Sequence, residues 1–185
     1  MLVRNCGVTL FATWFILARL SSVSLAQEIL PDGSKAAELA ISGFRIPNGM
    51  KMEVFAAEPQ VSSPVAICID EKGRVYAAEE YRFNRGTPEN RTQDFFLTDD
   101  LQIDSLEGRL ALYKKFEDRF EGGMDWFTKV SDQVRILEDR DGDGRADFSK
   151  IFAGGFNEPL DGLAAGLIAR DGNVYLTNIP HLWLL

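Results

Sequence analysis

The chain is poor in the residues that usually announce chemistry. Its 185 residues hold one histidine and two cysteines. One of the cysteines, Cys6, lies in an N-terminal apolar stretch, and the other, Cys68, sits inside Val65-Ala66-Ile67-Cys68-Ile69, the setting of a buried structural thiol. A mature chain carrying Cys68 alone has no internal disulfide, and no Cys-x-x-Cys-His haem attachment motif occurs. Basic residues are also in deficit: 20 Lys and Arg stand against 28 Asp and Glu, a net charge of −8. A nucleic-acid binder needs a basic face for phosphates, so that class is excluded, whereas divalent cations suit this balance.

Long apolar runs are short of what a membrane span requires. The run from Cys6 to Ala18 is interrupted by Arg19, and a spanning helix needs about 20 apolar residues. Arg4, this apolar core and Ser24-Leu25-Ala26 instead form the three regions of a secretory signal, with cleavage expected before Gln27. The competing reading is a retained anchor. Cleavage of residues 1–26 removes Arg4 and Arg19 and no acid, leaving 18 basic and 28 acidic residues and a net charge of −10. An exported chain, periplasmic or extracellular, with no stable transmembrane span after cleavage is the expectation.

Acid is concentrated in one place. Asp139, Asp141 and Asp143 alternate, Gly144 follows, and Asp147 comes next but two. Calcium takes six to eight oxygen ligands, and alternating carboxylates can turn onto one ion. The Arg145 carbonyl and Asp147 fall at the seventh and ninth loop positions. The twelfth position, a bidentate Glu in an EF-hand, is Lys150. Val134–Leu137 before and Phe148–Phe152 after read as strands, so the unit is expected to be strand, acidic loop, strand. The expected metal set is Asp139, Asp141, Asp143, Arg145 and Asp147, with Ca2+ in a structural role; the alternative is an acidic turn facing water.

A hairpin pattern occurs twice. Val65–Ile69, a turn at 70–73 and Val75–Ala78 match Leu163–Ala169, a turn at 170–173 and Val174–Thr177, with Gly-Arg-Val-Tyr at 73–76 answering Gly-Asn-Val-Tyr at 172–175. A third strand follows each, at 132–137 and 180–185. Aligning Leu137 with Leu185 gives a repeat of 48 residues; aligning Val75 with Val174 gives 99. The difference of 51 marks an insertion at 81–131, where Asp104–Glu121 reads as an amphipathic helix with Asp104 and Glu107 as a capping box. Its apolar stripe of Leu106, Leu110, Tyr113, Phe116 and Phe120 is expected to pack the insertion's own core. Residues 27–48 read as a lead-in, Pro47-Asn48-Gly49 as a turn and Met50–Phe55 as a strand.

Repeats of this length built of short strands are the mark of β-propeller blades. The expected fold is therefore all-β: residues 49–185 form about two blades of a partial β-propeller with a helical insertion. Two blades do not close a ring, so a fragment of a longer protein is expected.

Five stretches carry a family resemblance: Met52–Pro59, Asp70–Glu79, Arg135–Asp147, Ile151–Ala153 and Asn178–Leu182. Across roughly residues 46–185 the chain resembles the N-terminal propeller of a planctomycete-type family of membrane-bound dehydrogenase-like and haem-binding Cys-x-x-Cys-His proteins. The resemblance implies a propeller like that of soluble quinoprotein sugar dehydrogenases, often followed by helical repeats and a c-type cytochrome domain. It implies oxidation of a sugar or alcohol, with electrons passed to haem c or a quinone held in parts outside these residues, and an electron-accepting cytochrome as partner. His181 is the one candidate base with a pKa naturally near neutrality. The other function class is a non-catalytic carbohydrate- or protein-binding propeller, with Tyr81, Arg82, Asn84 and Arg85 as candidate contacts.

Overall fold

A computed structural model describes residues 34–185. The expected signal segment, residues 1–26, lies outside the described residues. The chain opens with helix α1 (Ser34–Ile41) and then runs without regular structure to residue 63. The turn at Pro47-Asn48-Gly49 forms, with Met50 N–H donating to the Pro47 carbonyl and Gly49 at φ +86°.

Strands β1 (Pro64–Ile69), β2 (Val75–Glu79), β3 (Asp132–Glu138) and β4 (Phe148–Phe156) form one four-stranded antiparallel sheet in chain order. Strands β5 (Ala164–Arg170), β6 (Asn173–Asn178) and β7 (His181–Leu184) form a second, three-stranded antiparallel sheet. Both hairpins of the repeat are present. In the first, Asp70 folds back on its own turn and accepts from the N–H groups of Lys72 and Arg74. In the second, Arg170 pairs with Asn173, so the loop is Asp171-Gly172 alone. Both residues adopt positive φ, +51° and +78°, the geometry of a tight two-residue turn.

The two faces of the first sheet differ because side chains alternate along a strand. Its front face carries Tyr76, Ala78, Val134 and Ile136, which join Ala164, Val174 and Leu176 of the second sheet in one core. The second sheet therefore lays β5 over β1 and β2. Val134 and Leu176 are fully buried, and each such side chain contributes about 1.5–3 kcal/mol by leaving water. The back face carries Ala77 and Leu137, covered by Phe55, Ala56 and Val61.

That cover corrects one expectation. Met50–Phe55 is not a strand. Its apolar alternation is real, but Met50 and Met52 face solvent. The segment forms no ladder and instead runs onto the back of the sheet, where the Phe55 carbonyl accepts from Ala146 N–H at 2.8 Å.

The insertion between β2 and β3 builds a core of its own. A short turn of 3-10 helix (Asp94–Phe96) leads into α2 (Leu97–Asp100), and α3 (Leu106–Lys115) follows. The helix is shorter than expected. Its cap is Ser105, not Asp104: the Ser105 hydroxyl accepts from Gly108 N–H, and Ser105 itself is extended. Past Lys115 the chain tightens into a 3-10 turn (Glu117–Arg119) and leaves through Gly122 and Gly123, both at positive φ. Phe96, Leu112, Tyr113, Phe120 and Phe127 are buried together, with Tyr113 stacked on Phe127 at 4.3 Å. The aromatic stripe is thus the insertion's core, as expected, except that Leu106 is exposed and Leu112 takes the inward place.

Candidate functional site

The acidic loop joins β3 to β4, so residues 134–152 are two strands bracketing an acidic connection, as the sequence led us to expect. Asp147 N–H donates to the Glu138 carbonyl at 3.0 Å and closes the loop's base. Within it, carboxylate oxygens of Asp139, Asp141 and Asp147 lie within 4.8 Å of one another. Asp139 is the organiser: its Oδ1 accepts from Gly142 N–H at 2.7 Å and its Oδ2 from Gly144 N–H at 2.9 Å. Both glycines have positive φ, +81° and +90°, which brings those N–H groups back toward Asp139. The Gly144 N–H, joined by those of Gly142 and Asp143, holds the Asp139 carboxyl below its usual pKa. Asp143 is outside the three-carboxylate group and accepts from Arg145 N–H at 2.8 Å. The Arg145 side chain points away to an ion pair with Glu38 of α1 at 2.7 Å.

The far end of the loop is fastened to the cover segment. Ala146 is buried, its N–H donates to Phe55, and its carbonyl accepts from the Gln60 amide. A shallow cavity of about 220 Å³ lies between Val54–Gln60 and Arg145–Ala146. Pockets for organic ligands run from about 300 to 1,000 Å³, so this space is small for a sugar.

His181 lies on the back face of β7, half-exposed, with Nε2 3.8 Å from Oδ1 of buried Asp161. Its ring meets Trp183 edge-on at 5.2 Å. The second Asp161 oxygen accepts from Glu158 N–H at 2.9 Å. Neighbouring Asn178, opposite His181 in the ladder, is fully buried and donates to the Gly162 carbonyl.

Of the four candidate contact residues on the loop leaving β2, three are engaged internally. Arg82 is fully buried. Its guanidinium donates to five carbonyls: Phe156 and Asp161 through Nη1, and Gly86, Phe127 and Glu158 through Nη2. Gly86 admits this packing, since a Cβ there would stand 3.0 Å from Arg82 Nε. Burial pulls the Arg82 pKa below its usual value against the opposing charges of Asp132 and Asp161, and a guanidinium still stays ionised. Arg82 is therefore a hub between the insertion and the 156–161 segment, and offers nothing to an outside ligand. Tyr81 is half-buried, and burial, then the Glu79 charge, pushes its phenol pKa up. Asn84 holds a positive φ of +59° and accepts from Thr92. Arg85 is exposed.

Besides Asp161, two fully buried carboxylates escaped the sequence reading. Asp132 Oδ1 accepts from the N–H groups of Tyr81 and Arg82, and Oδ2 from Ala164 N–H at 2.8 Å. Glu79 Oε1 accepts from Ser62 N–H and from Arg135 Nε. The available signal was strand alternation: Glu79, Gln133 and Arg135 are polar positions on one face of otherwise apolar strands.

A family model described as a domain of unknown function, DUF7133, matches residues 36–185. The chain belongs to this family. The DUF7133 match takes in most of α1, both sheets, the insertion and the acidic loop. No curated protein and no solved structure matches the chain. Among the described residues, no helix is long and apolar enough to cross a membrane.

Proposed function

We propose that this DUF7133 chain is a calcium-binding β-propeller segment of an exported protein, in which the acidic loop holds the ion that fixes the β3–β4 connection. The observation that carries the reading is the convergence of Asp139, Asp141 and Asp147 within 4.8 Å on a loop pinned at both ends. Three hard carboxylate oxygens with negative charge to neutralise suit Ca2+ better than a transition metal, which prefers nitrogen or sulfur donors. The chain's part is to keep Asp139 ionised and turned inward through the Gly142 and Gly144 N–H groups. Asp143 lies outside this converging group, and water or loop carbonyls complete the proposed set. The propeller reading draws support from the meander order of the first sheet and the packing of β5 against β1 and β2, since blades stack with like strands adjacent.

Calorimetric titration of the chain with CaCl2 after EDTA treatment tests the calcium reading. Saturable binding at one site, with a rise in Tm, is expected; D139N and D147N abolish both. An unchanged Tm up to millimolar Ca2+ overturns it. An ion at one hundred times its Kd stabilises by about 2.7 kcal/mol.

A second reading follows the dehydrogenase-like resemblance. It rests on the half-exposed position of His181, whose Nε2 lies 3.8 Å from Oδ1 of buried Asp161, a carboxylate near enough to favour an imidazole that takes up a hydroxyl proton. Haem c or quinone would then belong to parts outside these residues. Dye-linked oxidation of sugars or alcohols by the longest natural form, lost in H181A while calcium binding persists, separates this from a carbohydrate- or protein-binding scaffold.

A further inference from the structure

Asn178 and His181 face each other across the β6–β7 ladder, so their side chains leave the same face of the sheet. Both converge on Asp161 and Gly162. The Asn178 amide donates to the Gly162 carbonyl at 3.0 Å, and His181 Nε2 stands 3.8 Å from Asp161 Oδ1. Gly162 permits the approach: its N–H donates to the Ile179 carbonyl, and a Cβ there would meet that oxygen at 2.6 Å. The Gly162 carbonyl can receive only from the NH2 end of the amide, which identifies the other end as Oδ1. Asn178 Oδ1 is buried and, among the described residues, has no hydrogen-bond partner. A buried acceptor left without a donor is costly and calls for an explanation. Asp161 Oδ1 is in a similar position. Its companion Oδ2 accepts from Glu158 N–H, but 3.8 Å to His181 is beyond hydrogen-bond reach. Arg82 directs its Nη donors to carbonyls, that of Asp161 among them.

One cation serves all three groups. Ligand atoms about 2.0–2.2 Å from a zinc ion stand about 3.0–3.8 Å from each other, so the gap between Asp161 and His181 suits two ligands of one ion. An imidazole nitrogen beside two oxygens is a donor set for a zinc-type ion, whereas Ca2+ takes oxygens. We propose that Asp161 Oδ1, Asn178 Oδ1 and His181 Nε2 form a second cation site, for a divalent ion of the zinc type, where β6 turns into β7. The site is separate from the acidic loop and independent of the calcium reading. It replaces the reading of His181 as a base, since a metal-bound Nε2 has no lone pair to offer a hydroxyl.

The chain holds one histidine, so imidazole signals in its NMR spectrum belong to His181. The EDTA-treated wild-type chain is titrated with ZnCl2 by calorimetry and by NMR. One saturable site is expected, with the His181 ring signals shifting in step, and D139N is expected to bind equally well. Loss of a residue that merely orients a ligand weakens a metal site by about 10–100-fold, so H181A, D161N and N178L are expected to lose at least that much. A wild type without saturable zinc binding overturns the proposal, as does a site that fills while the ring signals stay unmoved. Binding that D161N leaves unchanged, or that D139N abolishes, overturns it too, because the zinc then sits elsewhere. X-ray absorption at the zinc edge is expected to show one imidazole with oxygen donors; a sulfur donor assigns the ion to Cys68 and overturns the site. Circular dichroism checks that the variants keep their sheets. Where one does not, the wild-type ring signals and absorption spectrum decide.

Discussion

Arg135 Nε lies 2.8 Å from Glu79 Oε1 on the back of the first sheet, with the carboxylate fully buried and the guanidinium nearly so. The pair is roofed by the segment that supplies Ser62 N–H to the same oxygen. The Gln133 amide donates to the other oxygen and the Ser149 hydroxyl accepts from Arg135. Removing one member strands a buried charge, which costs about 3–5 kcal/mol, whereas replacing both with apolar residues costs much less. Urea unfolding of E79L, R135L and the double variant is expected to show each single variant less stable than the double.

Asp132 satisfies three backbone N–H groups from two separate parts of the chain, Tyr81 and Arg82 at the mouth of the insertion and Ala164 at the start of β5. D132A leaves those donors buried and unpaired. Each unsatisfied donor costs about 1–3 kcal/mol, so a loss on the order of 3 kcal/mol is expected. Hydrogen exchange is expected to quicken at Tyr81, Arg82 and Ala164 together, which a loss confined to one strand would not produce.

Arg82→Lys keeps the charge and loses the planar fork, and an ammonium with three donors cannot serve five carbonyls. The insertion is expected to loosen while the sheets persist. Limited proteolysis reads this as cleavage within 84–128 in R82K at protease levels that leave the wild type intact.

Acid sensitivity follows from two carboxyls. For Asp70, burial raises the pKa, but hydrogen bonds from the Arg74 backbone and guanidinium and from Lys72 N–H outweigh it, and the net shift is downward. Asp139 is lowered by Gly144 N–H and its neighbours. A carboxyl depressed on folding adds stability above its unfolded pKa, about 3.9, and that stability is lost as pH falls through the folded value. In EDTA, Tm of the wild type is expected to drop below about pH 4, and D70N and D139N to drop less over the same window while being less stable at pH 7.

Strand positions were legible because alternation and turn chemistry are local. Val75–Glu79 shows its two faces in sequence, and Asp171-Gly172 announces its own turn. Met50–Phe55 alternates equally well, yet alternation reports an amphipathic extended segment and not a ladder partner. The helix cap was misplaced by one residue because Asp104 and Ser105 are both good caps, and only the backbone angle decides between them. Arg82 read as a surface contact since its neighbours are polar. Its burial depends on carbonyls 74 to 79 residues away at Phe156 and Asp161, a relation no local pattern contains. The acidic loop was visible as composition, but which carboxylates converge was not: Asp139, Asp141 and Asp147 come together, and Asp143 stands outside them.

The insertion leaves β2 and returns to β3 through a single side chain, Asp132, whose one oxygen holds Tyr81 N–H at 2.7 Å. Its entrance and exit are therefore pinned together whatever lies between them, and its aromatic core closes upon itself. Such a segment is an exchangeable cassette. Length and surface between Gly86 and Phe127 can change, or be replaced with a foreign compact unit that keeps those two carbonyls on buried Arg82, while the sheets, the acidic loop and the register between them stay as they are.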